Sequence, residues 1–132
     1  MAAPPTPCDE APVTVYRVQS SIDGRGPWRP GMSHLWHDES KTYLPDSVVG
    51  AFGLNWCAEI PHGWHCGCAC RSLDGLLKWF TPIERERLAH MGYELVSLDA
   101  EKIVRENADQ VIFARRKPLT VGAIVLPFKE AA

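Results

Sequence analysis

The chain has 132 residues, of which 45% are hydrophobic and 23% are charged. This composition excludes the disordered and fibrous classes, and the length allows one core but not two. The formal net charge of −2 lacks the basic excess of a nucleic-acid binder, and no window is apolar enough to span a membrane. We expect one cytoplasmic domain without membrane contact or direct binding of nucleic acid.

The first half of the chain predicts one strand followed by a long loop. Residues 1–12 contain four prolines and predict a flexible tail, with a single domain over 13–127 and a second tail over 128–132. Residues 13–18 are rich in β-branched side chains and predict an edge or half-exposed strand. Three glycines and two prolines within 23–31 break both helix and strand periodicity, so we expect a long structured loop over 20–45.

The second half predicts two consecutive helices and then strands. Ser72 can cap a helix with an apolar stripe over 73–80, and Thr81 with Glu84 forms a capping box for a helix that runs to about His90. Strands are expected over 93–98, 110–115 and 119–126, with a short helix or irregular crossing over 99–107. The order predicts an α+β fold: a mostly antiparallel sheet with two consecutive helices on one side.

A dense group of thiols and imidazoles precedes the first of these helices, and its members are Cys57, His62, His65, Cys66, Cys68 and Cys70. Thiolate and imidazole are the ligands that zinc prefers, although the Cys-x-Cys-x-Cys spacing differs from the usual paired motif. The alternatives are small buried cysteines in a turn, or a catalytic Cys70 near a helix N-terminus with a histidine base. The pair His34 and His37 reads as a surface feature or as further metal ligands.

The long loop and a later strand end carry candidate binding residues. Arg25 and Arg29, among glycines, can present guanidinium groups to an anion, or Asp23 can pair with an arginine in a plain turn. The rings of Trp28 and Trp36 are expected either to cover the core or to line a cleft. Arg115 and Arg116, followed by a lysine, form a small basic rim or the solvated end of a strand.

Several stretches, including 15–18, 23–31, 77–80 and 110–113, resemble a group of small proteins of phages and prophages. The resemblance implies a phage setting in a bacterial host and no particular activity. Together with the small size and the lack of a complete catalytic set, it favours a non-enzymatic accessory protein that binds and inhibits a host protein or nucleoprotein complex, as anti-CRISPR proteins do. Its anchors would be arginine and aromatic side chains, the types that dominate interface energetics. They are Arg25, Trp28, Arg29, Trp36, Arg115 and Arg116.

Two further hypotheses stay open. The first strand and the strand at 110–113 also resemble the opening and closing strands of ADP-ribosyltransferase-like folds, which implies a cleft for NAD containing Arg17, Arg25 and Gln110. The late strand of such enzymes supplies a catalytic glutamate, and Gln110 at that place cannot supply its negative charge. The other hypothesis is a zinc-stabilised binding module over residues 57–70. If neither holds, no cofactor is expected.

Overall fold

The computed structural model describes residues 12–28, 33–38 and 47–128. Within these ranges the chain forms strands and short helices in an α+β arrangement, which confirms the predicted fold class. The strands are β1 (Val13–Ser20), β2 (His65–Ala69), β3 (Tyr93–Ala100), β4 (Lys102–Glu106), β5 (Val111–Arg115) and β6 (Ile124–Leu126). The helices are α1 (Val48–Phe52), α2 (Leu73–Leu77) and α3 (Pro82–His90), with a 3-10 turn at Ser33–Leu35.

The strands divide into two three-stranded sheets, where the sequence predicts one. The first sheet has the order β1-β3-β6, and the second has the order β2-β5-β4. Every strand pair in them is antiparallel, as predicted. In the first sheet β1 pairs with β3 along its whole length, from Val13 opposite Ala100 to Ser20 opposite Tyr93.

The two sheets are connected at two places. Only Glu101 separates β3 from β4, so one extended stretch leaves the first sheet and enters the second. At the other side, Tyr16 and Cys70 exchange backbone hydrogen bonds of 2.8 and 2.9 Å, which link β1 to the residue that follows β2. The two sheets are thus joined by a continuous chain on one side and by backbone hydrogen bonds on the other, and they enclose a common interior.

The space between the sheets is filled by alternate residues of four strands, as the two-residue period of a strand requires. We call this group the inter-sheet core, and it contains Val15, Ala69, Val96, Leu98, Ala100, Val111 and Phe113. Apart from Leu98, its members are β-branched, aromatic or small, which suits a narrow layer between two pleated surfaces.

A second core lies on the helical side of the molecule and is rich in aromatic rings. This helix-side core contains Val18, Trp36, Cys70, Leu76, Trp79, Phe80, Leu88, Tyr93 and Leu95. Phe128, predicted to belong to a tail, packs against it. The rest of the two predicted tails lies outside the described residues, apart from Pro12.

Helix ends follow the predicted caps, with one difference in length. The Ser72 hydroxyl accepts from the Gly75 amide at 3.0 Å, and the capping box of α3 is complete. However, α2 ends at Leu77 rather than Phe80. The Arg85 guanidinium donates to the carbonyls of Leu77 and Phe80, both at 3.2 Å, so a side chain of α3 satisfies the terminal carbonyls of α2.

Three predicted elements are wrong, two of them because pairing with a distant strand decided the structure and one because of a local turn. Residues 99–107 form the end of β3 and the strand β4, since β5 supplies a hydrogen-bonding partner that local sequence does not show. Of the cysteines expected in a turn, Cys66 and Cys68 lie in β2, which also pairs with β5. The last strand shortens to β6, because a turn with Val121 N–H bonded to the Pro118 carbonyl occupies its predicted start.

Candidate functional site

Trp28, in the loop after β1, lies at the surface on a base of aromatic rings. Its ring centroid is 5.2 Å from Phe80 in a stacked arrangement, and 5.8 and 5.6 Å from Trp36 and Trp79 in edge-on arrangements. The side chain nevertheless remains 42% exposed. Trp28 therefore presents a large apolar ring to solvent while three other rings hold its position.

Trp36 covers the core, which is one of the two roles that the sequence analysis left open for it. It is 1% exposed, so it is not a surface anchor. Its indole N–H donates to the Pro27 carbonyl at 3.1 Å, immediately before Trp28. This bond fixes the backbone from which the exposed Trp28 side chain projects.

Two charged side chains of α3 form hydrogen bonds with the segment that carries Trp36. The buried Glu84 carboxylate accepts from the Asp38 amide at 3.2 Å, and His37 Nδ1 lies 3.4 Å from the same oxygen. Arg87 donates to the His37 carbonyl at 2.9 Å. Sequence analysis found Glu84 as a capping residue only, because its contact with residue 38 is not visible in local sequence.

The predicted anion loop at 23–29 is partly described. The Arg25 amide donates to the Asp23 carboxylate at 3.0 Å, and the Arg25 side chain lies 3.8 Å from it while remaining mostly exposed. Gly24 between them has a φ of 73°, the left-handed region that glycine adopts without strain. This geometry is that of the plain turn, while Arg29 lies outside the described residues.

The predicted basic rim separates into one buried and one exposed arginine. Arg115 is buried and donates to the carbonyls of Pro118 and Val121, so it closes a turn rather than offering a surface charge. Arg116 is exposed, lies over the Trp64 ring and donates to Glu101 at 2.8 Å. These hydrogen bonds from Arg116 lower the pKa of Glu101, so the charge of Arg116 is largely compensated.

The predicted zinc ligands do not converge. Within the described residues, which include all six candidates, no group of three or more His, Cys, Asp or Glu side chains is placed to hold a metal ion. Cys66 and Cys68 lie on the same face of β2, two residues apart, and successive side chains on one face of a strand are ~6.6 Å apart. His65 projects from the opposite face of the strand, while Cys57 and His62 lie exposed in the preceding loop.

The Cys70 thiol has a raised pKa, whereas a nucleophilic cysteine needs a lowered one. Burial, followed by the neighbouring Cys68 and Asp109, raises the pKa of the Cys70 thiol to about 12. Its sulfur also lies 3.5 Å from the Asp109 carbonyl, to which the protonated thiol donates. Burial likewise raises the pKa of Cys66 and of Cys68. All three remain protonated thiols at neutral pH.

Among the residues expected in an NAD cleft, only Gln110 lines the cavity found beside β5. Gln110 is buried at the start of β5 and borders a cavity of about 110 Å³, together with Cys70 and Arg71. Arg17 and Arg25 do not line this cavity. Arg17 instead lies between the sheets, with its guanidinium 5.7 Å from the Phe113 ring centre.

The fold and the aromatic surface define a small α+β protein, and comparison with known proteins gives its family. The family described as bacteriophage T4 Y00F protein matches residues 11–126, so the chain belongs to it. The predicted phage setting is confirmed. No curated protein matches the chain, and no solved structure does. In the described part of the chain, no helix is long and apolar enough to cross a membrane.

Proposed function

We propose that this phage accessory protein binds a host protein or nucleoprotein complex through the surface around Trp28 and inhibits that complex. The observation that carries the proposal is the position of Trp28, an exposed ring that contacts three rings of the helix-side core. Tryptophan is among the residues most enriched at the energetic centres of protein interfaces.

Rigidity makes this ring a better anchor than an isolated surface tryptophan. Binding normally requires the ordering of side chains, at about 0.5 to 1.5 kcal/mol for each one that loses rotamer freedom. Stacking on Phe80 and the bond from Trp36 to the Pro27 carbonyl have already ordered Trp28 in the free protein. A partner therefore gains the contact area of the indole without the full ordering cost.

Arg25 supplies a charged side chain from the same loop. Its weak 3.8 Å contact with Asp23 leaves the guanidinium available for a partner's carboxylate or carbonyl groups. By contrast, Trp36 and Arg115 support the fold from buried positions. Among the described residues we therefore propose only Trp28 and Arg25 as anchors. Arg116, which follows the central strand β5 of the second sheet, is a separate exposed side chain.

The test is capture of a host complex from bacterial lysate by the immobilised protein and by two matched variants. Trp28→Ala removes the proposed anchor. Ile22→Ala removes another exposed apolar side chain of the same loop, 89% exposed and outside the aromatic cluster. The proposal expects one complex held by wild type and Ile22→Ala, and reduced at least about tenfold by Trp28→Ala, a loss typical of an interface centre.

Inhibition needs its own assay. With the captured complex purified, its activity is measured with increasing amounts of wild-type protein and of Trp28→Ala. We expect inhibition that saturates at a fixed stoichiometry and is weakened in the variant. A captured complex that retains full activity would remove the inhibitory part of the proposal. An anti-CRISPR role requires, in addition, that the complex is a CRISPR effector.

A further inference from the structure

The strand β6 forms one edge of the first sheet, and its exposed side chains are apolar. It pairs with β3 on one side only, opposite Leu95, Val96 and Ser97. Ile124 and Val125 are 63% and 56% exposed, although isoleucine and valine are among the residues most often buried. Residues 118–128 contain no charged side chain. The last strand therefore presents an apolar and uncharged edge to solvent.

The same edge carries backbone groups that can pair with a further strand. An edge strand directs alternate N–H and C=O groups away from its neighbour, where they can bond to another extended chain. Within the part of the chain that the structure describes, the backbone of Ile124–Leu126 forms hydrogen bonds only with β3. Strand addition at β6 therefore needs no rearrangement of the sheet.

The other three sheet edges are protected. The edge strand β4 carries Lys102 and Arg105, and a register shift between Ile103 and Arg105 interrupts its ladder. Charged side chains and bulges are features by which proteins prevent strand addition. The edges of β1 and β2 meet at the hydrogen bonds between Tyr16 and Cys70. In β6 only the length of three residues limits pairing, so its association should be specific but weak.

The edge of β6 is complementary to itself. In an antiparallel pair with a two-fold axis at Val125, this residue lies opposite Val125 of the second copy, and Ile124 lies opposite Leu126. Each of these pairs is apolar. Like charges opposite each other would be destabilising, and an uncharged segment brings none together. A second copy of the chain thus satisfies both the backbone groups and the side chains of this edge.

We propose that two copies of the protein pair through β6 and form one continuous antiparallel sheet. Each copy contributes the three strands of its first sheet, in the order β1-β3-β6 followed by β6-β3-β1. Few residues take part, so the interface lies at the small end of the range for specific complexes, and the dissociation constant is on the order of 100 µM. This pairing is independent of the function proposed for the surface around Trp28.

Sedimentation equilibrium tests the pairing over concentrations from about 5 µM to about 1 mM. The mass of one chain is 14.7 kDa, and the average mass should rise towards twice this value. Val125→Lys places two ammonium groups opposite each other at the axis and should raise the dissociation constant at least about tenfold. The control Leu54→Lys adds the same charge at a side chain that is 83% exposed outside β6, and it should associate as wild type does.

Charge reversal identifies the axis itself. An equimolar mixture of Val125→Lys and Val125→Glu should dimerise at concentrations at which each variant alone is monomeric, because opposite charges then face each other. The proposal is overturned if wild type stays monomeric up to about 1 mM, or if Val125→Lys dimerises as strongly as wild type. It is also overturned if the mixture associates no better than its components.

Hydrogen exchange of the wild-type protein gives the answer should the Val125 variants fail to fold. Between about 10 µM and about 1 mM, the outward amides of Ile124–Leu126 should exchange more slowly, while those of Lys102–Glu106 keep their rates. Full protection of β6 in the dilute monomer would show that another segment of the same chain covers this edge. A doubled mass without added protection at β6 would show a different interface. Either result overturns the proposal.

Discussion

The Glu84 carboxylate accepts a hydrogen bond of 3.2 Å from the backbone amide of Asp38, which lies 46 residues earlier in the chain. Its other oxygen accepts from the Thr81 amide at 2.9 Å and completes the cap of α3. One buried side chain thus fixes both the start of a helix and the segment next to Trp36. The aromatic base of Trp28 depends on this connection.

Glu84→Gln should destabilise the protein by about 1 to 3 kcal/mol. The amide group keeps the shape but turns one acceptor oxygen into a donor that faces a backbone N–H, and an unsatisfied buried group costs about this much. Urea unfolding measures the change. Glu86→Gln, at an exposed position of the same helix, should change stability by less than about 0.5 kcal/mol. Equal stability of the two variants would contradict the role of Glu84.

Thr81→Ala should cost about 1 kcal/mol, because the hydroxyl accepts from the Glu84 amide at 3.2 Å at the start of α3. The matched control is Thr120→Ala, which removes an exposed hydroxyl from a turn. Chemical denaturation of both variants checks the prediction. A loss in the control as large as that in Thr81→Ala would argue against a capping effect.

Stability should fall at alkaline pH because of Cys70. Its pKa is raised from an ordinary value of 9.0 to about 12, so the folded state binds the proton more tightly than the unfolded state. This contribution is fully present below pH 9 and is lost as the pH rises towards 12. Unfolding free energies measured between pH 8 and 11 should fall less steeply for Cys70→Ala than for wild type. Identical slopes would contradict the assignment, while Cys66 and Cys68 account for the slope that remains.

Alkylation should separate the cysteines by their burial. With Cys8 replaced by serine in every sample, iodoacetamide at pH 8 should modify the exposed Cys57 of the folded protein and leave Cys70 unmodified. Mass spectrometry of peptides gives the extent at each site, and a sample in urea shows that every thiol can react. Rapid modification of Cys70 in the folded state would show that its environment is open.

Local signals in the sequence predicted the fold class, the antiparallel strands and the caps at Ser72 and Thr81. The division into two sheets could not be predicted, because β4 and β2 owe their existence to pairing with β5. A register shift between Ile103 and Arg105 also interrupts the two-residue alternation of side chains by which β4 could be recognised in the sequence. Each of these features depends on residues far apart in the chain.

The sequence indicated which residue types could form the candidate site, but it did not indicate which of these side chains are exposed. Trp28 and Trp36 carry the same side chain in the same loop, and only the tertiary contact of Trp36 with Pro27 decides which of them is buried. Arg115 and Arg116 are neighbours, but Arg115 is the buried last residue of β5, while Arg116 follows the strand and is exposed. Nothing in the local sequence indicates that Arg17 faces an interior in which no described residue supplies a carboxylate partner.

The most direct test of the account is the dissociation constant of the captured host complex for wild type, Trp28→Ala and Ile22→Ala. Circular dichroism of each variant first establishes that the fold is intact. The account predicts a dissociation constant raised about tenfold or more by Trp28→Ala and changed by less than about twofold by Ile22→Ala. Equal affinity of folded Trp28→Ala and wild type would contradict the claim that this aromatic surface is the binding site.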